Sequence, residues 1–222
     1  MILINLKAYK QGIGKDAIEI AEVAEKINQE TGIYIAIACQ AADIYKVSNS
    51  CNIDVYAQHI DPIDFGSHTG WIHPYSVKHA GATGVLINHS EHQLKISDIE
   101  RTIKIAKEYD LKTIVCANNA IVAKAIACFK PYAIAVEPPE LIGGDISVSK
   151  AKPEIILETV RQIREIDKNK EIKILCGAGI KNYEDVKKAL ELGAEGILIA
   201  SGVVKAEDKE KAISDLAKAF LQ

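Results

Sequence analysis

Eight short runs of apolar and β-branched residues, each followed by a longer stretch, constrain this chain more than any other feature. They are ILINL (2–6), IYIAIAC (33–39), VYAQ (55–58), GVLIN (84–88), KTIVC (112–116), YAIAVE (132–137), IKILC (172–176) and GILIA (196–200). Nearly all are apolar at successive positions rather than at every second one, the pattern of parallel strands covered on both faces. Between them, apolar residues recur at helical spacing. Ile20, Val23, Ala24 and Ile27 share one face, as do Val186, Ala189, Leu190 and Gly193, and Ile213, Leu216, Ala217 and Phe220. Asp16, Ser97, Asn182 and Asp208 stand where helices would begin. No Gly/Ser linker divides the units. The expected fold class is therefore α/β, a single (β/α)8 barrel over residues 1–222. Two halves of four strands would also fit the count, since 222 residues can hold one barrel or two small domains.

Composition removes several function classes. The formal net charge of −3 gives no reason to expect a nucleic-acid surface. Five cysteines, an odd number without CxxC spacing, favour reduced thiols and a cytoplasmic setting over a disulfide framework or a zinc ribbon. No apolar run approaches the length of a membrane span, and MILINLKAYK is too briefly apolar for a signal peptide.

Barrels of this kind carry their chemistry where strands hand over to the loops that follow. Strand 1 ends in Asn5-Leu6-Lys7, which on an extended chain puts an amide and an ammonium on one side. Strand 4 ends in Asn88-His89-Ser90-Glu91-His92, and strand 6 in Glu137. A carboxylate there can act as a general base once water is excluded from it. The segment after it supplies the means: Pro138 and Pro139 stiffen its foot, and Gly143 and Gly144 free its tip, as in a rigid flap. The turns CGAGI (176–180) and ASGV (200–203) expose backbone N–H groups to an anion, so Gly177, Gly179, Ala200, Ser201 and Gly202 read as a phosphate cradle or simply as tight turns. His89 and His92 have a spacing that metal ligands use, but no further set of ligating residues accompanies them, and no metal is expected.

Asn5-x-Lys7, NHSE at 88–91, VEPPELIGG at 136–144, CGAGI and ASG resemble, in order and along the whole chain, the triosephosphate isomerase family in its compact archaeal form. The resemblance implies interconversion of dihydroxyacetone phosphate and glyceraldehyde 3-phosphate through an enediol(ate), without a cofactor. It makes Glu137 the base that moves a proton between C1 and C2. His89 becomes the neutral imidazole at the carbonyl, Lys7 the ammonium that offsets enediolate charge, Asn5 the amide beside it and Glu91 the carboxylate that positions the site. Ile142 and Gly143 fall on the lid; Gly177, Gly179, Ala200 and Ser201 fall on the turns that hold the phosphate. The chain departs from the usual pattern at the lid, which reads Ile142-Gly143-Gly144-Asp145, and at Gly179 and Ala200-Ser201. The alternatives are another phosphate-binding barrel of biosynthesis and an idle barrel that only binds a metabolite or a protein.

The segment HIDPIDFGSHTGWIHPYS (59–76) carries Ile60, Ile63, Phe65, Trp71 and Ile72, an apolar loop that a lone barrel would leave partly exposed. In the resembled family this loop reaches a neighbouring subunit, with Thr69 at its tip. A homodimer or homotetramer is therefore expected.

Overall fold

The computed structural model describes residues 1–138, 152–177 and 179–221; the lid residues read from the sequence (Pro139, Ile142, Gly143, Gly144 and Asp145) lie outside them. Strands β1 (Ile2–Asn5), β2 (Ile35–Cys39), β3 (Asp54–Ala57), β4 (Gly84–Ile87), β5 (Lys112–Ala117), β6 (Ala133–Val136), β7 (Lys173–Gly177) and β8 (Gly196–Ile199) pair in sequence order. All pairs are parallel, and β8 returns to β1 through Ile2, Leu3 and Ile4, which closes the barrel. The alternative of two separate halves is thereby excluded.

Helices α1 (Lys15–Thr31), α2 (Ile44–Ser50), α3 (Pro74–His79), α4 (Ile96–Glu108), α5 (Ala120–Ala127), α6 (Pro153–Ile166), α7 (Tyr183–Glu191), α8 (Ser201–Val204) and α9 (Lys209–Lys218) occupy the connections. None of the described helices is long and apolar enough to cross a membrane. Asn182 and Asp208 cap α7 and α9 as expected, each accepting a backbone N–H three residues on. Asp16 and Ser97 instead lie inside their helices, because Gly14 and Lys95 take the cap positions.

Doubly apolar strands follow from two separate cores. Leu3, Ala36, Ala38, Tyr56, Leu86, Ile114, Cys116 and Leu175 pack inside the barrel. Their strand neighbours, among them Ile2, Ile4, Ile37, Val55, Val115 and Ile174, pack with the helices. Each fully buried Ile or Leu contributes about 1.5–3 kcal/mol whichever side it faces, so neither face tolerates a polar alternation. Tyr56 fills part of the interior because Gly84 lets it: a Cβ on Gly84 would lie 2.2 Å from the Tyr56 ring.

The N-terminal end of the barrel is tied by a polar knot. Asp54 accepts hydrogen bonds from the Tyr34 hydroxyl and from Lys112 Nζ, the latter at 3.0 Å. Burial alone would push the Asp54 carboxyl up, but the bonds from Tyr34 and Lys112 outweigh it and hold it below its ordinary value. A depressed carboxyl stabilises the fold above its unfolded-state pKa, and that contribution is lost as pH falls through the lower folded value. Asp54→Asn should therefore lower the melting temperature at pH 7 by roughly 2–6 °C, taking a loss of about 1–2 kcal/mol. The gap between mutant and parent should shrink as the pH falls below about 4. A gap that stays constant on acidification would show the loss to be packing rather than charge.

The loop after β3 meets the sequence expectation at its aromatic residues but not at its isoleucines. Ile60 and Ile63 are buried in their own chain, while Phe65 is 70 % and Trp71 56 % exposed. Its base is fixed by Asp61, which accepts the backbone N–H of Ile72 at 2.7 Å and so folds the two isoleucines inward.

Candidate active site

The residues singled out at the ends of strands 1, 4, 6 and 8 stand just past the last residue of each strand, except Asn5, which closes β1. The chain turns sharply there. Lys7 (φ 50°) and Asn88 (φ 57°) are both left-handed. Asn5 and Lys7 are therefore not brought together by strand alternation, as expected from an extended chain, but by a turn in which the Lys7 N–H donates to Asn5 Oδ1 at 3.0 Å. A left-handed non-glycine costs on the order of 1–3 kcal/mol and persists only where its surroundings fix it. Asn88 shows how: its side chain donates to Cys116 O at 2.8 Å and accepts from Leu94 N–H at 2.9 Å, which orients the residue that follows.

Asn5, Lys7, His89 and Glu91 share a cleft of about 300 Å³ at this end of the barrel. Lys7 Nζ lies 2.7 Å from Glu91 Oε1. The lysine side chain is only 12 % exposed and the glutamate 56 %, so the pair steers the ammonium more than it stabilises the fold. His89 Nδ1 accepts the backbone N–H of Glu91 at 3.2 Å. That bond leaves the ring proton to Nε2, which points at Glu137 Oε2 from 3.4 Å. Both atoms are buried and neither has a hydrogen-bond partner among the described residues. A buried polar atom left unpaired costs about 1–3 kcal/mol, so two facing each other mark a place kept for something else.

Glu137 is held by backbone and by shape. Its N–H donates to Ala117 O at 2.9 Å. Burial first, and the neighbouring Glu137 carboxylate second, push the Cys116 thiol well above its ordinary range, so it remains a thiol beneath the site. A Cβ on Gly177 would stand 2.6 Å from Glu137 Cγ and 3.0 Å from its Oε1. The glycine read as part of a phosphate cradle thus makes room for the carboxylate. Gly177→Ala should displace Glu137 and lower kcat by on the order of 10²-fold, the cost of a misplacement near 1 Å. Cooperative thermal unfolding should be kept; an alanine variant with parental kcat would show the carboxylate free to move aside at no cost.

The other turn residues lie together. Gly179 has φ 73°, a conformation glycine adopts without strain, while Ala200 precedes α8, whose first residue is Ser201. Gly202 lets the two turns meet, since a Cβ there would be 3.2 Å from Ile180 O and 3.4 Å from Lys181 Cα. The pairing of Ile199 with Ile4 sets them beside the end of β1. Ile142 and Gly143 lie outside the described residues.

Sequence reasoning passed over two amides and a ring pair. Gln40 and Gln58 line the same cleft as Asn5 and Lys7, and so do His59 and His92, whose ring centroids lie 4.3 Å apart with the planes tilted by 32°. Parity was the signal for the amides, because Ala36, Ala38 and Gln40 are alternate residues of one strand direction, as are Tyr56 and Gln58. Nothing in the sequence pairs His59 with His92.

A closed parallel barrel with facing imidazole and carboxylate where the strands give way to loops belongs to the (β/α)8-barrel enzymes. The family model described as "Triosephosphate isomerase" matches residues 1–219. The chain is 53 % identical to the triosephosphate isomerase of Methanocaldococcus jannaschii, covering 98 % of this chain and 99 % of the relative. It is 48 % identical to that of Archaeoglobus fulgidus, covering 97 % and 96 %. The crystal structure of triosephosphate isomerase from Bartonella henselae superposes with a TM-score of 0.78 over 100 % of this chain and 98 % of its own, at 17 % identity, a likeness of fold. The chain belongs to the triosephosphate isomerase family.

Proposed function

We propose that the protein interconverts dihydroxyacetone phosphate and D-glyceraldehyde 3-phosphate, a step of glycolysis and gluconeogenesis, with no cofactor. The observation that carries the reading is the couple His89 Nε2 and Glu137 Oε2, 3.4 Å apart and without hydrogen-bond partners among the described residues, with His89 lining the same cleft as Lys7. Glu137 takes a proton from C1 of the ketone and returns it to C2. His89 gives its Nε2 proton to the carbonyl oxygen and takes one from the neighbouring hydroxyl, so the enediol forms and collapses with both groups restored. Lys7 and Asn5 face the oxygens on which charge develops, and Glu91 keeps Lys7 in place. Gly177, Gly179, Ala200 and Ser201 offer the phosphate two adjoining turns, and Ile142 and Gly143 cover it.

The protein acts as one domain in the cytoplasm and self-associates as a homodimer or homotetramer. The exposed Phe65 and Trp71 on the loop after β3 support the assembly. Purified protein given glyceraldehyde 3-phosphate should form dihydroxyacetone phosphate, read by a coupled dehydrogenase, and chelator should not slow it. Absence of turnover with either triose phosphate would end the reading.

A further inference from the structure

Lys7 poses a problem that its neighbours solve. It occupies a left-handed conformation that a glycine would adopt without strain, yet only a lysine brings an ammonium to the cleft. Its peptide is held at both ends. The N–H is taken by Asn5 Oδ1 at 3.0 Å. The carbonyl oxygen receives Gln40 Nε2 at 2.9 Å and Gln58 Nε2 at 3.1 Å. Gln58 Nε2 is also 3.1 Å from Asn5 Oδ1 and 3.2 Å from Ala38 O, and Gln40 Nε2 donates to Gln58 Oε1 at 2.8 Å.

The side-chain nitrogen of Gln58 is thus surrounded by three oxygens, all acceptors. An oxygen in its place would face all three without a proton to share. Gln40 both grips Lys7 O and fixes which way the Gln58 amide points. Each glutamine follows its strand directly, so the pair transfers the rigidity of β2 and β3 to a strained loop residue.

We infer that Gln40 and Gln58 are positioning residues, an amide clamp that holds Lys7 in its left-handed turn and thereby aims its ammonium at the substrate. The clamp acts through Lys7, and the inference rests on the reading of Lys7 as the site's cation. Its effect belongs to the orientation of a charge rather than to the stability of the barrel.

The test is a double-mutant cycle. Gln58→Met and Gln40→Met remove the donors at similar volume, and Gln58→Glu keeps the shape while putting an oxygen among oxygens. In the parent chain each should lower kcat/KM by 10- to 100-fold, with Gln58→Glu the most severe and thermal unfolding still cooperative. On a Lys7→Ala background, assayed at high enzyme concentration, the same substitutions should change kcat/KM less than threefold, because their object is gone. Calorimetry with glycerol 3-phosphate, which cannot isomerise, should show the same loss of coupling in binding. Effects that multiply in full on Lys7→Ala would overturn the clamp and make the glutamines substrate contacts or scaffold. Parental activity in the glutamine variants, with Lys7→Ala inactive, would overturn the clamp and leave the role of Lys7 standing. A Lys7→Ala protein with parental turnover would overturn both. If Gln58→Glu fails to fold, the Gln40→Met cycle decides alone.

Discussion

Glu137→Gln should lower turnover by on the order of 10²–10⁴-fold, the range that a positioned general base supplies. The substitution keeps size and shape, and the amide can occupy the space that Gly177 leaves open, so circular dichroism and the melting temperature should change little. A glutamine can still turn its amide oxygen toward His89 Nε2 but cannot take up a proton there, so the loss falls on rate rather than on stability. The measurement that separates base catalysis from packing is isotope exchange at the substrate carbon. In Glu137→Gln, exchange of that hydrogen with solvent should fall in step with kcat. Near-parental kcat would remove Glu137 from the chemistry.

His89→Gln should cost 10²–10³ in kcat, comparable to loss of one donor aimed at a developing oxyanion. Glutamine can donate and can accept, but from different atoms, whereas the imidazole gives and takes a proton at one nitrogen once Nδ1 is engaged by Glu91 N–H. The affinity for glycerol 3-phosphate should shift less than threefold, because the turns proposed to hold the phosphate do not include His89. An equal loss in kcat and in that affinity would make His89 a binding group and move the proton shuttle to another residue.

Much of this molecule could be read before its fold was known, and the reasons lie in particular residues. The (β/α)8 order was legible because runs such as IAIAC and VCA are apolar at consecutive positions, which only strands buried on both faces require. Strand order predicts that Asn5, Lys7, His89, Glu91 and Glu137 gather at one rim, and they do lie together there; the roles proposed for them come from the resemblance. What sequence could not supply was direction. Lys7 and Asn88 leave the strand path with positive φ, and no pattern of hydrophobicity records that. The purpose of Gly177 was hidden for the same reason, since its missing side chain matters only against Glu137, forty residues away in the chain but one strand away in space. Ile60 and Ile63 looked like contact residues because apolarity in a loop does not say whether the loop folds home.

The unpaired atoms of His89 and Glu137 also bear on how such a chain changes over generations. A substitution that fills or mates either atom relieves a cost of desolvation, so purely physical improvement at these two positions would run against the proton transfer proposed for them. Descendants kept for some other use of the barrel should drift first here, toward apolar or hydrogen-bonded pairs, while Gly84 and Tyr56 at the far end stay as they are. The state of residues 89 and 137 in a divergent copy would then serve as a record of whether selection on turnover had lapsed.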